Sequence, residues 1–339
     1  MKIAIDVMGT DHGPEPIIAG ALAGAKKYPC EVILVGNEEV IQAILDKKGV
    51  TAPNVTVQHA SQVIEMSESP SDGLRKKKDS SIVVASRLVK DGVCDVVISP
   101  GSTGAAVAAA LLIIGRIPGV ERAAIATPIP NLTGTTVLLD SGANVDSKPR
   151  HLLQSAIMGS LYARLILGIE NPRTGLLNVG EEESKGNEQT KATFPLLKEA
   201  RGIQFIGNVE GRDLTNGKVD VMVCDGFVGN IALKLGEGLA STMMQFIKDA
   251  IMASGLFAKM GAWLLIPVFR KIKKKVDPAE CGGAPLLGVN GGFIICHGSS
   301  GELAIENAVR VAVDMVEKNV VQRIRESLER EDAEKNAEK

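Results

Sequence analysis

The stretch "SPGSTGA", residues 99–105, follows the apolar run "VVIS" and leads into an alanine-rich helical pattern that carries no charge until Arg116. Glycines let backbone N–H groups approach a ligand closely, hydroxyls add donors, and the helix that follows aims the positive end of its dipole at the loop. That combination suits an anion, with Gly101, Ser102 and Thr103 as its candidate ligands. A turn-and-cap reading competes on equal terms, because strand-to-helix turns use Gly and Ser for geometry alone. The loop lacks the Gly-Lys-Ser/Thr of a Walker motif and the third glycine of the dinucleotide fingerprint.

Other polar clusters could supply chemistry beside it. In "NVGEEESKGN" Lys185 stands between Gly180 and Gly186 and can act as a fixed positive charge, although a solvated charged loop explains the neighbouring Glu181, Glu182 and Glu183 equally well. In "CDGFVGN" Asn230 follows a glycine-flanked apolar step. It serves either as a helix cap or as an amide donor to a developing oxyanion. Of the four histidines, His12 and His297 fall in such clusters, whereas His59 and His151 read as surface or capping residues. No His or Cys stands at i, i+4 from another His, so the sequence predicts no metal site. Asp6 and Asp225 are placed at the site edge, with helix capping and loop ordering as the expected role of most such aspartates.

These clusters need a scaffold. Short β-branched runs ("KIAID", "EVILVG", "VTVQ", "VVIS", "AAIATPI", "TTVLL", "GLLNV", "IQFIGNV", "VDVMVC", "FIICHG") alternate with helical patterns over about 15–28, 38–48, 80–91, 103–116, 148–168, 187–200, 228–254 and 300–328. This rhythm predicts an α/β fold around a mostly parallel sheet. The clusters follow strands at their carboxyl ends, which in a parallel sheet share one edge, so they are expected to converge there on a ligand. One large domain spans 1–339, with a projecting helical segment at about 235–280 and a frayed, charged end over 329–339.

Composition narrows the function classes. The formal net charge is −2, and one Trp, two Tyr and seven Phe leave little for base stacking, so nucleic acid is not expected. Five scattered cysteines without a C-x-x-C pair predict buried, reduced thiols and a cytoplasmic location. No apolar run approaches the eighteen or so residues of a spanning helix.

Taken in order, "DVMGTDHGPEPI", "SPGSTGA", "GRIPGVERAA", "LDSGANVD", "GLLNVGEEESKGN", "FIGNVEGRD", "DGFVGNIALK" and "PLLGVNGGFIICHGSS" resemble the bacterial phosphate acyltransferases of phospholipid synthesis, over roughly residues 1–318. Pro100 and the "ERAA" step depart from that pattern without removing a polar group. The resemblance implies a Rossmann-like three-layer α/β/α sandwich, isopropylmalate-dehydrogenase-like, in a homodimer. It implies conversion of acylated acyl-carrier protein and inorganic phosphate to acyl phosphate and free acyl-carrier protein, without a cofactor. Phosphate is its own nucleophile in such a reaction, which agrees with the missing Ser-His-Asp arrangement. Lys185 and Asn230 then become the oxyanion-stabilising groups, with Gly101, Ser102, Thr103 and Asn144 holding phosphate. The alternatives are an NAD-dependent hydroxyacid dehydrogenase on a related fold and a non-catalytic peripheral membrane scaffold.

One segment is not absorbed by these motifs. "LFAKMGAWLLIPVFRKIKKKVDP" carries the only tryptophan and then Arg270, Lys271, Lys273, Lys274 and Lys275. Leu256, Trp263, Leu264, Leu265, Val268 and Phe269 beside Lys271 and Lys274 suit reversible attachment to the inner face of the cell membrane. A core or dimer helix and a docking site for an acidic carrier protein are the competing uses.

Overall fold

The computed structural model describes residues 1–49 and 52–337, with the side chain of Lys273 among the few left outside that description. The strands are β1 (Lys2–Asp6), β2 (Glu31–Gly36), β3 (Val55–His59), β4 (Val96–Ser99), β5 (Ala124–Pro130), β6 (Thr135–Leu139), β7 (Arg173–Leu177), β8 (Gln204–Val209), β9 (Val221–Val223), β10 (Ala284–Leu287) and β11 (Gly292–Ile295). The helices are α1 (Pro14–Lys27), α2 (Glu38–Lys48), α3 (Pro70–Lys76), α4 (Ser81–Lys90), α5 (Thr103–Ala109), α6 (Pro149–Leu165), α7 (Glu188–Glu199), α8 (Asp213–Asn216), α9 (Gly226–Ala253), α10 (Leu256–Leu264), α11 (Ile266–Val276), α12 (Pro278–Cys281), α13 (Glu302–Glu317) and α14 (Val320–Ala337).

Alternation along the strands builds three layers. Ile3 and Ile5 join one core, which also takes Ile17 of α1, Tyr162 of α6 and Val309 of α13, while Ala4 between them joins the other, with Ile82 of α4 and Ala106 of α5. Successive side chains of a strand point to opposite faces, so both faces of this sheet must be covered by helices.

The sheet runs β3-β2-β1-β4-β11-β10-β5-β6-β9-β7-β8. Its two flanks are parallel, but β10 pairs antiparallel with both β11 and β5, and β5 antiparallel with β6. Three reversals set the flank β6-β9-β7-β8 opposite in direction to β1–β4 and β11. The expectation of one shared carboxyl edge is therefore corrected. The register shows what replaces it: Leu139 pairs with Ala126, Leu286 with Ile125, Pro285 with Ile294 and Ile294 with Ile98. Leu139, ending β6, thus lies level with Ile98 near the end of β4. The two flanks approach that level from opposite sides, and their carboxyl-end loops face each other across the seam.

Two helical expectations change. The pattern over 103–116 is α5 followed by a π-helical turn, Ala110–Ile114, that stops at Gly115 with φ 88°. The pattern over 300–328 divides at Asn319, whose φ is 52°, into α13 and α14. α14 continues to Ala337, with residues 338–339 outside the described ones. α9 is exposed from Phe227, with only Gly226 and Gly229 buried along it. Its 28 residues span about 42 Å.

Candidate active site

At the seam the loop after β4 meets the loops after β6, β9 and β11. A cleft of about 470 Å³ is lined there by Thr103, Ser141, Asn230, His297, Ser299 and Ser300, among others. Three residues singled out in the sequence, Thr103, Asn230 and His297, are brought together from positions almost two hundred residues apart.

Asn230 owes its place to Asp140 and two glycines. The Asp140 carboxylate is buried and accepts backbone N–H groups from Ile125 (3.1 Å), Gly142 (3.0 Å), Ala143 (2.9 Å) and Asn144 (2.8 Å), fixing the loop after β6. Burial raises its pKa, and those donors work against the rise. The first turn of α9 presses on this loop: a Cβ at Gly226 or Gly229 would collide with the carbonyl oxygens of Asn144 and Asp140. Only glycine permits that approach. Asp225 caps the helix, accepting from Phe227 N at 2.9 Å and Ser147 N at 2.8 Å. Asp225 is therefore a structural cap. Asn230, five residues further, is not one, and its amide rests beside Gly142 with an exposed face toward the cleft.

The loop after β4 is organised from below. Asp6 is buried and accepts from Ser99 Oγ at 2.9 Å and from Met8 N at 3.2 Å. Burial pushes its pKa up to about 6, opposed by the Ser81 and Ser99 hydroxyls. Gly101 N donates to Ser99 Oγ at 3.3 Å, so this amide turns inward, not toward a ligand. The free donors begin later. Ala106 N takes the carbonyl of Ser102, which leaves the N–H groups of Thr103, Gly104 and Ala105 without an intrahelical partner. The Ser102 hydroxyl makes no capping bond, and Thr103 is exposed.

Asn144 is also redirected. Its amide donates to Ala123 O at 2.6 Å and Asp140 Oδ2 at 2.8 Å, so it locks the loop and has no N–H left for phosphate. Lys185 sits exposed on the loop after β7, its stem against Gly180, with no ion-pair partner among the described residues and outside the walls of the cleft. His12 lies exposed on the loop after β1, outside those walls too. His297 Nδ1 meets Ser299 N at 3.2 Å and Ser299 Oγ at 2.8 Å. An N–H pointing at Nδ1 makes it the acceptor, leaving Nε2–H as the donor of the neutral ring. Ser141, with its hydroxyl 2.5 Å from Thr127 Oγ1, and Ser300 were legible only as members of their motifs.

The thiols are unsuited to nucleophilic work. Burial pushes Cys296 up to about 12 and Cys94 up to about 11, and raises Cys224 and Cys281 as well. Among the described residues no group of three or more His, Cys, Asp or Glu could hold a metal ion.

The fatty acid synthesis protein family matches residues 1–323. The phosphate acyltransferase of Pelotomaculum thermopropionicum is 55% identical over 329 residues, 97% of this chain and 95% of that one. That of Desulfitobacterium hafniense is 54% identical over 331 residues, 97% and 98% of the two chains. The chain belongs to the phosphate acyltransferase family. As a phosphate acyltransferase of fatty acid and phospholipid synthesis it is an enzyme, which removes the dehydrogenase and the inert scaffold as readings. Solved structures agree on the fold: a phosphotransacetylase from Streptococcus pyogenes superposes with a TM-score of 0.66 at 19% identity, covering 94% of each chain. A proposed 4-hydroxythreonine-4-phosphate dehydrogenase from Salmonella typhimurium gives 0.50 at 13% identity, covering 93% of this phosphate acyltransferase and 99% of that chain.

Proposed function

We propose that this phosphate acyltransferase takes its acyl group from acyl-carrier protein and passes it to inorganic phosphate in the seam cleft. The observation that carries the reading is the convergence of Thr103, at the start of α5, with Asn230 on the walls of one cleft. Phosphate sits against the Ser102 and Thr103 hydroxyls and the first-turn N–H groups, where the helix dipole favours an anion. One of its oxygens attacks the thioester carbonyl, forming a C–O bond. The carbonyl π electrons move onto oxygen, and that oxyanion accepts from the Asn230 amide, with Lys185 swinging in on its exposed stem. When the intermediate collapses, the C–S bond breaks and its electron pair leaves with sulfur as thiolate. No side-chain nucleophile is required, in keeping with the raised thiol pKa values. Incubating the pure protein with the acyl thioester of acyl-carrier protein and phosphate should yield acyl phosphate and free carrier. No product from intact substrate would overturn the reading.

We further propose that the projection serves a homodimer and the inner face of the cell membrane. On α9, Ile231, Leu235, Leu239 and Phe246 are exposed, as are Leu256, Phe257, Trp263, Leu264 and Leu265 around α10. No helix among the described residues is long and apolar enough to cross a membrane. Apolar burial at about 25 cal/mol per Å² favours covering this surface, by a second copy along α9 and by lipid at the tip around α10. Phe269 is the exception among the expected membrane residues: it is half-buried and lines an apolar groove with Met244 and Ile251.

A further inference from the structure

The basic residues that follow the apolar tip do not stay with it. Lys271, Lys274 and Lys275 line a groove of about 490 Å³ whose other wall is the enzyme body, including Tyr162 and Arg310. Among the described residues Glu280 is the one carboxylate in that lining, 3.8 Å from Lys274 Nζ. Arg310 reaches Asp314 at 3.4 Å, whereas Lys271 and Lys275 have no ion-pair partner among the described residues. The groove therefore carries an excess of unneutralised positive charge over a partly apolar floor. It also adjoins the cleft: Pro128 and Cys281 line both.

We propose that this groove receives the acyl donor, an acidic carrier protein, with its acidic surface against Lys271, Lys274 and Lys275 and its phosphodiester-linked arm running past Cys281 and Pro128 into the cleft. The proposal rests on the reading of the donor as a carrier protein. Two features favour this occupant over a lipid surface. The cations line a concave space whose other wall is the body, which a flat bilayer cannot enter, and that space shares Pro128 and Cys281 with the cleft where an arm must deliver its thioester. Rim charges of this kind act mainly on encounter, so they should appear in KM and in salt dependence rather than in the chemical step.

The test is the charge reversal Lys271→Glu with Lys274→Glu, assayed on acylated acyl-carrier protein and on acyl-pantetheine, which has neither protein nor phosphate. The expected result is a rise of about tenfold or more in KM for acyl-carrier protein, with a weaker salt dependence than wild type, and unchanged turnover of acyl-pantetheine. That last value also reports that the variant is folded. An unchanged KM for acyl-carrier protein overturns the proposal. So does an unchanged KM accompanied by loss of binding to anionic phosphatidylglycerol vesicles, which would assign the cations to the membrane. If wild type turns over acyl-pantetheine but no acyl-carrier protein, the reading of the donor fails first and the groove proposal falls with it.

Discussion

Replacing Asp140 with asparagine tests whether the loop after β6 is held by a carboxylate or merely by chain geometry. The two oxygens of Asp140 serve five donors: Ile125 N, Gly142 N and Ala143 N on Oδ1, Asn144 N and Asn144 Nδ2 on Oδ2. Asparagine keeps one oxygen and puts an NH₂ group where the other stood, so at least two buried donors face a donor whichever way the amide turns. Each stranded donor costs about 1–3 kcal/mol. Relief from burying a charge, evident in the raised pKa of Asp140, offsets part of this. A net loss of about 3 kcal/mol is expected, enough to move a urea midpoint by roughly 1 M. Turnover should fall as well, because the same loop carries Gly142, against which Asn230 rests. Urea unfolding followed by circular dichroism, with turnover at low urea, reads both quantities. A wild-type midpoint together with wild-type turnover would refute the reasoning.

The remaining expectations are narrower. Asn230→Ala and Lys185→Ala should each stay folded and lose on the order of a hundredfold in turnover, and wild-type rates in either would reject that residue's role. Asp6, raised to about 6 in the folded chain from 3.8, contributes stability that is fully present below about pH 4 and is lost as pH rises through 6, up to about 3 kcal/mol. Asp6→Asn should flatten that slope in unfolding midpoints taken across the window, and an unaltered slope would contradict it. Gly229→Ala should displace α9 from the Asp140 loop and lower both stability and turnover, while Gly236→Ala, facing open space on the same helix, should stabilise by about 0.5–1 kcal/mol. Equal effects at the two glycines would show that helix propensity, not close approach, governs the first. Leu264→Glu with Leu265→Glu should abolish vesicle sedimentation and spare turnover in solution; unchanged sedimentation would count against the tip as a membrane contact.

Local signals determined much of this protein from sequence alone. Period-two runs of β-branched residues and the intervening helical patterns fixed most strands and helices, because side-chain direction within an element depends only on near neighbours. The same locality made the order of motifs, and through it the family, readable before any coordinates. Three matters needed the tertiary structure. Nothing local distinguishes an antiparallel β10 and β5 from parallel neighbours, yet their reversals decide that the strand-end loops face one another across a seam. Nor does sequence reveal where a donor is spent: Asn144 and the Gly101 amide look free in their motifs but are held by Ala123, Asp140 and Ser99. The cations after Phe269 read as partners of the adjoining apolar tip, while folding sets Lys271 and Lys274 beside Tyr162 and Arg310. Each of these depends on contacts between residues distant in the chain, and spacing along a sequence does not encode which distant partner a group will meet.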